Sequence, residues 1–501
     1  MGQAGGDVPA EKKGDGLMIV DAPCGRLEGR EKGTVVQFLG IPYAVPPVGL
    51  LRFRPTEPLP RWEGVRDCRR PGHAAPQTAV PGLAHLTKNE TMDEDCLYLN
   101  VTAPKACRHA PVLFWIHGGA FQKGSGLLGI RPEQFTTEGF VVVSCNYRLG
   151  ALGFLDVSRW LGDSYRQSGN SGLLDIIQAL RWVRDNISAF GGDPDHVTIM
   201  GQSAGAKLCG ALTIAADSDG LFRRAVLCSG AVQCIRDRHT AQSVAEQFFA
   251  EAGLTKDRAA ELLTLPWQQI LRAQTPLFTG LNLHAVGPVF DGVTFAGDEA
   301  QALLRSSTGR TYELLLGTNR DEMELYWHVY GVHELDEALA VRLFGNRAPV
   351  VLDAAAKLPR DASWHERLVH FLTEYVYRAG TVGMAEAAAA AGHPVYLYRL
   401  DWDRQAFRAC HASETQFLMG MGLVIRDMDR SPAHEALGQA MRSAFSSFIK
   451  TGRPEAPGLP AWPRFTAEDR QMMVFDGECH VAETPPVETD PRMPYAVFAL
   501  D

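Results

Sequence analysis

The sequence predicts an α/β protein with a large, mostly parallel central sheet flanked by helices, and with helical excursions along the rim where its active site lies. Three observations carry this reading. Short apolar runs bounded by Gly, Asn or Ser have the length of strands buried on both faces. A stretch between two of them repeats its apolar residues at helical spacing, which is the strand, crossover helix, strand unit of a parallel sheet. The 501 residues, 46% hydrophobic and 21% charged, hold enough apolar material for such a core and too little charge for disorder.

Taken in order, the first runs are residues 112–116, 141–145, 197–200 and 225–228. Between the second and third, Leu173, Leu174, Ile177, Leu180, Val183 and Ile187 line one face of a helix over 172–190. A mostly helical stretch follows at 243–277, then strand runs at 312–316 and 395–400, with an alanine-rich helical segment at 385–391 before the last. No internal repeat and no long linker breaks the pattern. Residues 17–501 therefore read as a single domain behind a disordered leader over 1–16. Sheets of this kind place active sites at the carboxyl ends of their strands.

Charge narrows the partners. A formal net charge of −9 and a pI near 5.9 repel phosphates and anionic headgroups, which argues against nucleic acid and membrane surfaces and for a small molecule. No run approaches the ~20 apolar residues of a membrane span. The N-terminus carries Glu11, Lys12, Lys13 and Asp15 where a signal peptide has its apolar segment, so a cytoplasmic protein is expected. Ten cysteines without Cys-x-x-Cys spacing read as free core thiols, and the glycosylation sequons at Asn89, Asn100 and Asn186 as chance matches. The oligomeric state stays open between monomer and dimer.

Directly after the run 197–200 stands Gly201-Gln202-Ser203-Ala204-Gly205, a G-x-S-x-G between a strand and a helix. A serine on such a turn exposes its hydroxyl, and the glycines make room where a side chain would strike neighbouring backbone. Ser203 is the candidate nucleophile. A serine hydroxyl is weak near neutral pH, so the chemistry needs a base for its proton and donors for the oxyanion that forms. After the strand ending at residue 116 comes His117-Gly118-Gly119-Ala120-Phe121, a glycine loop that offers the N–H groups of Gly118 and Gly119, with the N–H of Ala204 as the third donor. In this class the acid and the histidine follow the serine in the chain. Glu322 lies in the turn after the run 312–316, and His411 in the loop after 395–400. Asp321 rivals Glu322, and the pattern does not separate the two.

Further blocks run through nearly the whole chain, from about residue 18 to residue 498: Gly40-Ile41-Pro42-Tyr43-Ala44, Glu94-Asp95-Cys96-Leu97-Tyr98-Leu99-Asn100-Val101, Asn146-Tyr147-Arg148-Leu149-Gly150, Phe190-Gly191-Gly192-Asp193-Pro194 and Thr451-Gly452-Arg453-Pro454. With these the sequence resembles the type-B carboxylesterase family, a branch of the α/β-hydrolase fold that includes bacterial para-nitrobenzyl esterases, liver carboxylesterases and cholinesterases. The resemblance implies that fold, no metal or other cofactor, and a serine carboxylic-ester hydrolase for small, largely uncharged esters. It places the nucleophile on Ser203, the acid on Glu322 and the base on His411, in a His-x-x-Glu block completed by Glu414. It also matches Ser229 to a buried serine that supports the triad.

The chain departs from the family at named positions. Gln202 stands where a glutamate is usual, and no tryptophan lies between Cys68 and Cys96, so a choline ester is not the expected substrate. A neutral amide stabilises an imidazolium less than a carboxylate does, which places the pH profile of acylation below that of a Gln202→Glu variant. Cys96 matches a family disulfide cysteine whose partner position is Ala75, so that bridge is expected to be absent. The loop Gln122 to Gly126 and Lys207 come within reach of the site without identifying a substrate. Gly124, Gly126 and Gly129 match a dinucleotide fingerprint in the wrong context, trailing a loop. His365 and His370 lie about 140° apart around a helix, so they do not make the zinc pair of an i,i+4 motif. The same triad could serve an amidase, a carbamate or a lactone hydrolase. A non-catalytic relative would have lost its nucleophile, and a lipase would need an apolar lid that is not seen. Specificity is expected to come from residues 255–285 and 323–370, and the sequence does not say which esters they accept.

Overall fold

Strands buried on both faces set the frame, and the computed structural model shows which runs supply them. It describes residues 16–78, 91–278, 284–297, 304, 311–331, 334–420, 429–487 and 497–500; the leader over 1–15 and the sequon at Asn89 lie outside these. Among the described residues one sheet collects thirteen strands: β1 Leu17–Ala22, β2 Gly25–Lys32, β3 Val35–Pro42, β4 Val65–Asp67, β5 Tyr98–Pro104, β6 Ala110–Ile116, β7 Val141–Cys145, β8 Gly192–Gln202, β9 Arg224–Cys228, β10 Glu313–Asn319, β11 Val395–Leu400, β12 Gln471–Phe475 and β13 His480–Glu483. Their order is β1-β2-β3-β5-β7-β6-β8-β9-β10-β11-β12-β13, with β4 beside β2. From β7 to β12 every neighbouring pair is parallel, while β1, β2, β3 and β5 join antiparallel at one edge and β13 at the other. This is the large, mostly parallel sheet of the α/β-hydrolase fold.

Because side chains alternate across a strand, each central strand feeds two cores. Val112, Phe114 and Ile116 of β6 join one hydrophobic cluster, and Leu113 and Trp115 join the other. Ala225 and Leu227 of β9 likewise face away from Val226 and Cys228. Each fully buried Leu, Ile, Val or Phe contributes roughly 1.5–3 kcal/mol of transfer free energy, so these layers dominate folding. The helix Ser171–Asn186 crosses from β7 to β8 and buries Leu173, Ile177, Leu180 and Val183. It continues as a 3-10 turn, Ile187–Phe190, that ends on Gly191 at φ 83°. A third core belongs to the rim, where Tyr326, Leu343, Leu368, Tyr377 and Cys410 pack together.

Two strands run further toward the site than the sequence predicts. β8 runs on through Gly201 and Gln202, which pair with Ile116 of β6 and Cys228 of β9. β10 extends to Asn319, because its ladder to β11 reaches Leu400. Both extensions carry the chain to the residues of the site before any turn begins.

Candidate active site

Ser203 sits at the junction of β8 and the helix Ala204–Leu212 with φ 58° and ψ −122°, a backbone that non-glycine residues rarely adopt. Its N–H donates to the Cys228 carbonyl at 2.9 Å, so the turn is held by β9. Among the described residues, five of the eight non-glycine residues with positive φ are Ala120, Phe121, Ser203, Ser229 and Ala412, all within or beside the predicted site. Strain gathers there because the strands on every side fix the backbone.

The Ser203 hydroxyl lies 2.8 Å from Nε2 of His411, and His411 Nδ1 lies 2.6 Å from Oε2 of Glu322. Glu322 is fully buried, its Oε1 accepts the N–H of Asn319 at 2.7 Å, and its carbonyl accepts the His411 N–H at 3.1 Å. Asp321 points elsewhere and pairs with Arg320 at 3.1 Å. On the other side, Gly118 backs onto the elbow, where a β-carbon would come 2.7 Å from the Gln202 carbonyl oxygen. The N–H groups of Gly118 and Gly119 make no hydrogen bond among the described residues, and Ala204, first in its helix, has no intrahelical acceptor for its own. The predicted residues thus come to one place. Gln202 joins them, its amide nitrogen 3.4 Å from His411 Nε2.

Ser229 is buried behind this row in a polar network. Its hydroxyl donates to Oε1 of Glu414 at 3.4 Å, and Asn319 Nδ2 donates to Oε2 of Glu414 at 2.6 Å. Burial, reinforced by the nearby Glu322 charge, raises the Glu414 carboxyl to about 7 from its ordinary 4.5. The folded protein therefore holds a proton that the unfolded chain releases between those two pH values. That contribution is present below pH 4.5 and is lost as pH rises to 7. A Glu414→Gln variant is expected to gain on the wild type by on the order of 2 kcal/mol between pH 4.5 and 8. Urea unfolding of both proteins at the two pH values checks this, and parallel pH slopes would contradict it.

Sequence reasoning passed over Asn319, Tyr377 and His284. Tyr377 stands on a π-helical turn, Glu374–Arg378, between the helices Trp364–Thr373 and Ala379–Ala390. Such turns often mark functional sites. Its ring packs on His411 with centroids 4.6 Å apart, and its hydroxyl meets that of Tyr326 at 2.7 Å. The only sequence signal is a dense aromatic run around residue 375. His365 turns its Nε2 to Glu324 at 2.8 Å, and no group of three metal-ligating side chains forms among the described residues. Gly124 packs against the His117 ring. Cys68 and Cys96 are buried and unpaired. No described helix is long and apolar enough to cross a membrane.

Comparison with known proteins agrees over the whole architecture. The model of the Carboxylesterase family matches residues 17–489. The para-nitrobenzyl esterase of Bacillus subtilis (strain 168) is 34% identical over 487 residues, covering 94% of this chain and 97% of the relative. Among solved structures, the carboxylesterase EST55 of Geobacillus stearothermophilus at pH 6.2 superposes with a TM-score of 0.81 at 35% identity, over 93% of this chain and 98% of that one. A PNB esterase does so with a TM-score of 0.80 at 32% identity, over 94% and 98%. With the fold and nearly the whole chain in agreement, this protein belongs to the carboxylesterase family and is a carboxylic ester hydrolase.

Proposed function

We propose that the protein cleaves small, largely uncharged carboxylic esters through an acyl-enzyme on Ser203, with residues 17–501 acting as one catalytic domain. The observation that carries this is the unbroken hydrogen-bond chain from Ser203 through His411 to Glu322, beside a glycine loop whose Gly118 and Gly119 N–H groups find no acceptor among the described residues. His411 Nε2 takes the Ser203 proton as Oγ attacks the ester carbonyl. The N–H groups of Gly118, Gly119 and Ala204 hold the oxyanion, each worth roughly 2.7–4 kcal/mol of transition-state stabilisation. Glu322 orients the imidazolium and balances its charge, and the imidazolium then protonates the leaving alcohol. Water, activated by the same base, releases the acid. Ser229 supports the arrangement through Glu414 and Asn319, which hold the turn that carries Glu322. A reducing cytoplasm suits the ten unpaired cysteines.

The test is hydrolysis of para-nitrophenyl esters from acetate to dodecanoate, with a para-nitrobenzyl ester added because relatives carry that substrate in their name. Highest kcat/KM on the short chains, with a phosphonate inhibitor captured on Ser203 by mass spectrometry, is the expected result. A long-chain preference, or capture on another residue, would overturn it. Gln202 supplies a second check. A carboxylate 3–4 Å from the imidazolium favours its charged form, so Gln202→Glu is expected to move the acid limb of acylation up by about one pH unit. Burst kinetics across pH 5–9 read this directly, and coincident profiles would refute it.

A further inference from the structure

Lys207 lies one turn beyond Ser203 on the buried helix Ala204–Leu212, and its N–H donates to the Ser203 carbonyl at 2.9 Å. Its ammonium is buried, and among the described residues it meets Nδ1 of His284 at 3.4 Å and the face of Tyr377 at 5.5 Å, with no carboxylate in ion-pair range. An ammonium has three protons, so two are left without an acceptor. His284 accepts at Nδ1, which leaves its own proton on Nε2, and that buried atom has no partner among the described residues. Arg236 is buried as well. It donates to the carbonyls of Cys234 and Val286 and leaves Nε unpaired.

Donor groups gathered without an anion are costly to bury. Burial lowers Lys207 to about 8; Arg236 pushes in the same direction, while Cys234 and Glu322 oppose it. Burial and the Lys207 charge hold His284 well below its ordinary range. The cluster also borders the reacting atoms. The Tyr377 ring that faces Lys207 packs on His411, and Gly230 fits where a β-carbon would come 2.6 Å from the Ser203 carbonyl oxygen and 2.9 Å from Lys207 Cγ. A β-carbon at Gly287, which lies against Arg236, would come 3.1 Å from Phe121 of the glycine loop.

We infer that Lys207, backed by His284 and Arg236, forms a carboxylate-binding subsite of the ester pocket, so that the preferred substrates are short esters bearing one carboxylate away from the scissile bond, such as monoalkyl esters of dicarboxylic acids. This rests on the acyl-enzyme reading above and amends it at one end of the substrate. A charge-assisted hydrogen bond from a desolvated ammonium is strong and specific for such a group. The net negative charge of the protein still disfavours polyanions.

The test compares kcat/KM for monoethyl and diethyl succinate, glutarate and adipate, each normalised to its rate with hydroxide. At pH 7 the wild type is expected to favour at least one monoester over its diester tenfold or more, and Lys207→Met to bring that ratio near one. The ratio cancels any loss common to both esters. A second readout needs no variant: the wild-type ratio is expected to fall between pH 7 and 9.5, where Lys207 loses its proton and the substrate carboxylate does not. A wild-type ratio at or below one, a ratio unchanged in folded Lys207→Met, or a ratio flat with pH would each overturn the subsite. Turnover of diesters with no preference sinks the subsite alone, whereas no turnover of either ester by the folded wild type sinks the acyl-enzyme reading with it.

Discussion

Replacing Ser203 with alanine is expected to lower kcat on a para-nitrophenyl ester by about 10⁴–10⁶-fold while leaving the fold intact. The substitution removes one hydroxyl whose sole side-chain partner among the described residues is His411 Nε2 at 2.8 Å. Alanine keeps the β-carbon, so the strained turn at φ 58° is not made harder to form, and the Ser203 N–H still reaches the Cys228 carbonyl. What would remain is the proposed oxyanion pocket, and such a pocket sustains a rate roughly 10³–10⁴-fold above water. In the proposed mechanism Ser203 and His411 act as one unit, so a Ser203→Ala/His411→Ala double variant is expected to lose little more than either single one. Steady-state kinetics on all three, with circular dichroism to verify folding, measure this. Residual turnover above one part in a hundred, or losses that multiply, would point to a different nucleophile.

The same comparison of residues explains how far the sequence could be read. The strands β6, β7 and β9 and the second half of β8 are legible because both faces are buried there and the run is largely apolar, whereas the first half of β8 carries Asp193, Pro194, Asp195 and His196, which are exposed or partly exposed. β2 is not, since its buried face is built from Gly25, Leu27 and Gly29 between charged neighbours, and glycine gives no hydrophobic signal. Gly29 is there because Phe38 of β3 covers it, a fact that only the paired strands reveal. In the site, Ser203 declares itself because the elbow demands glycines at fixed offsets. Glu322 and Asp321 follow β10 equally well, and only the turn beyond Asn319 aims one at His411 and the other at Arg320. Tyr377 and His284 reach the site from distant elements, so no local pattern announces them.

Gly205→Ala is expected to cost more than about 4 kcal/mol of stability. A β-carbon at this position would fall on the Ile116 carbonyl oxygen, well inside van der Waals contact, and 2.8 Å from that of His117. Both obstacles are backbone, and Ile116 is held in the β6 ladder opposite Gly201. Neither can rotate away as a side chain would. Gly210, further along the same helix, is the matched control, since its added β-carbon would meet Val232 Cγ1 at 3.1 Å and the Val232 backbone nitrogen at 3.2 Å, contacts that a shift of a few tenths of an ångström relieves. There alanine also gains up to about 1 kcal/mol of helix propensity, so Gly210→Ala is expected to be near neutral. Soluble yield and urea midpoints of the two variants decide the matter, and equal midpoints would refute the contact argument. The same closeness has a functional side. It brings the first turn of the helix against the end of β6, the two elements to which the proposed mechanism assigns the oxyanion donors Ala204, Gly118 and Gly119. Any Gly205 variant that folds by separating those two elements is therefore expected to lose kcat as well, through a widened oxyanion pocket.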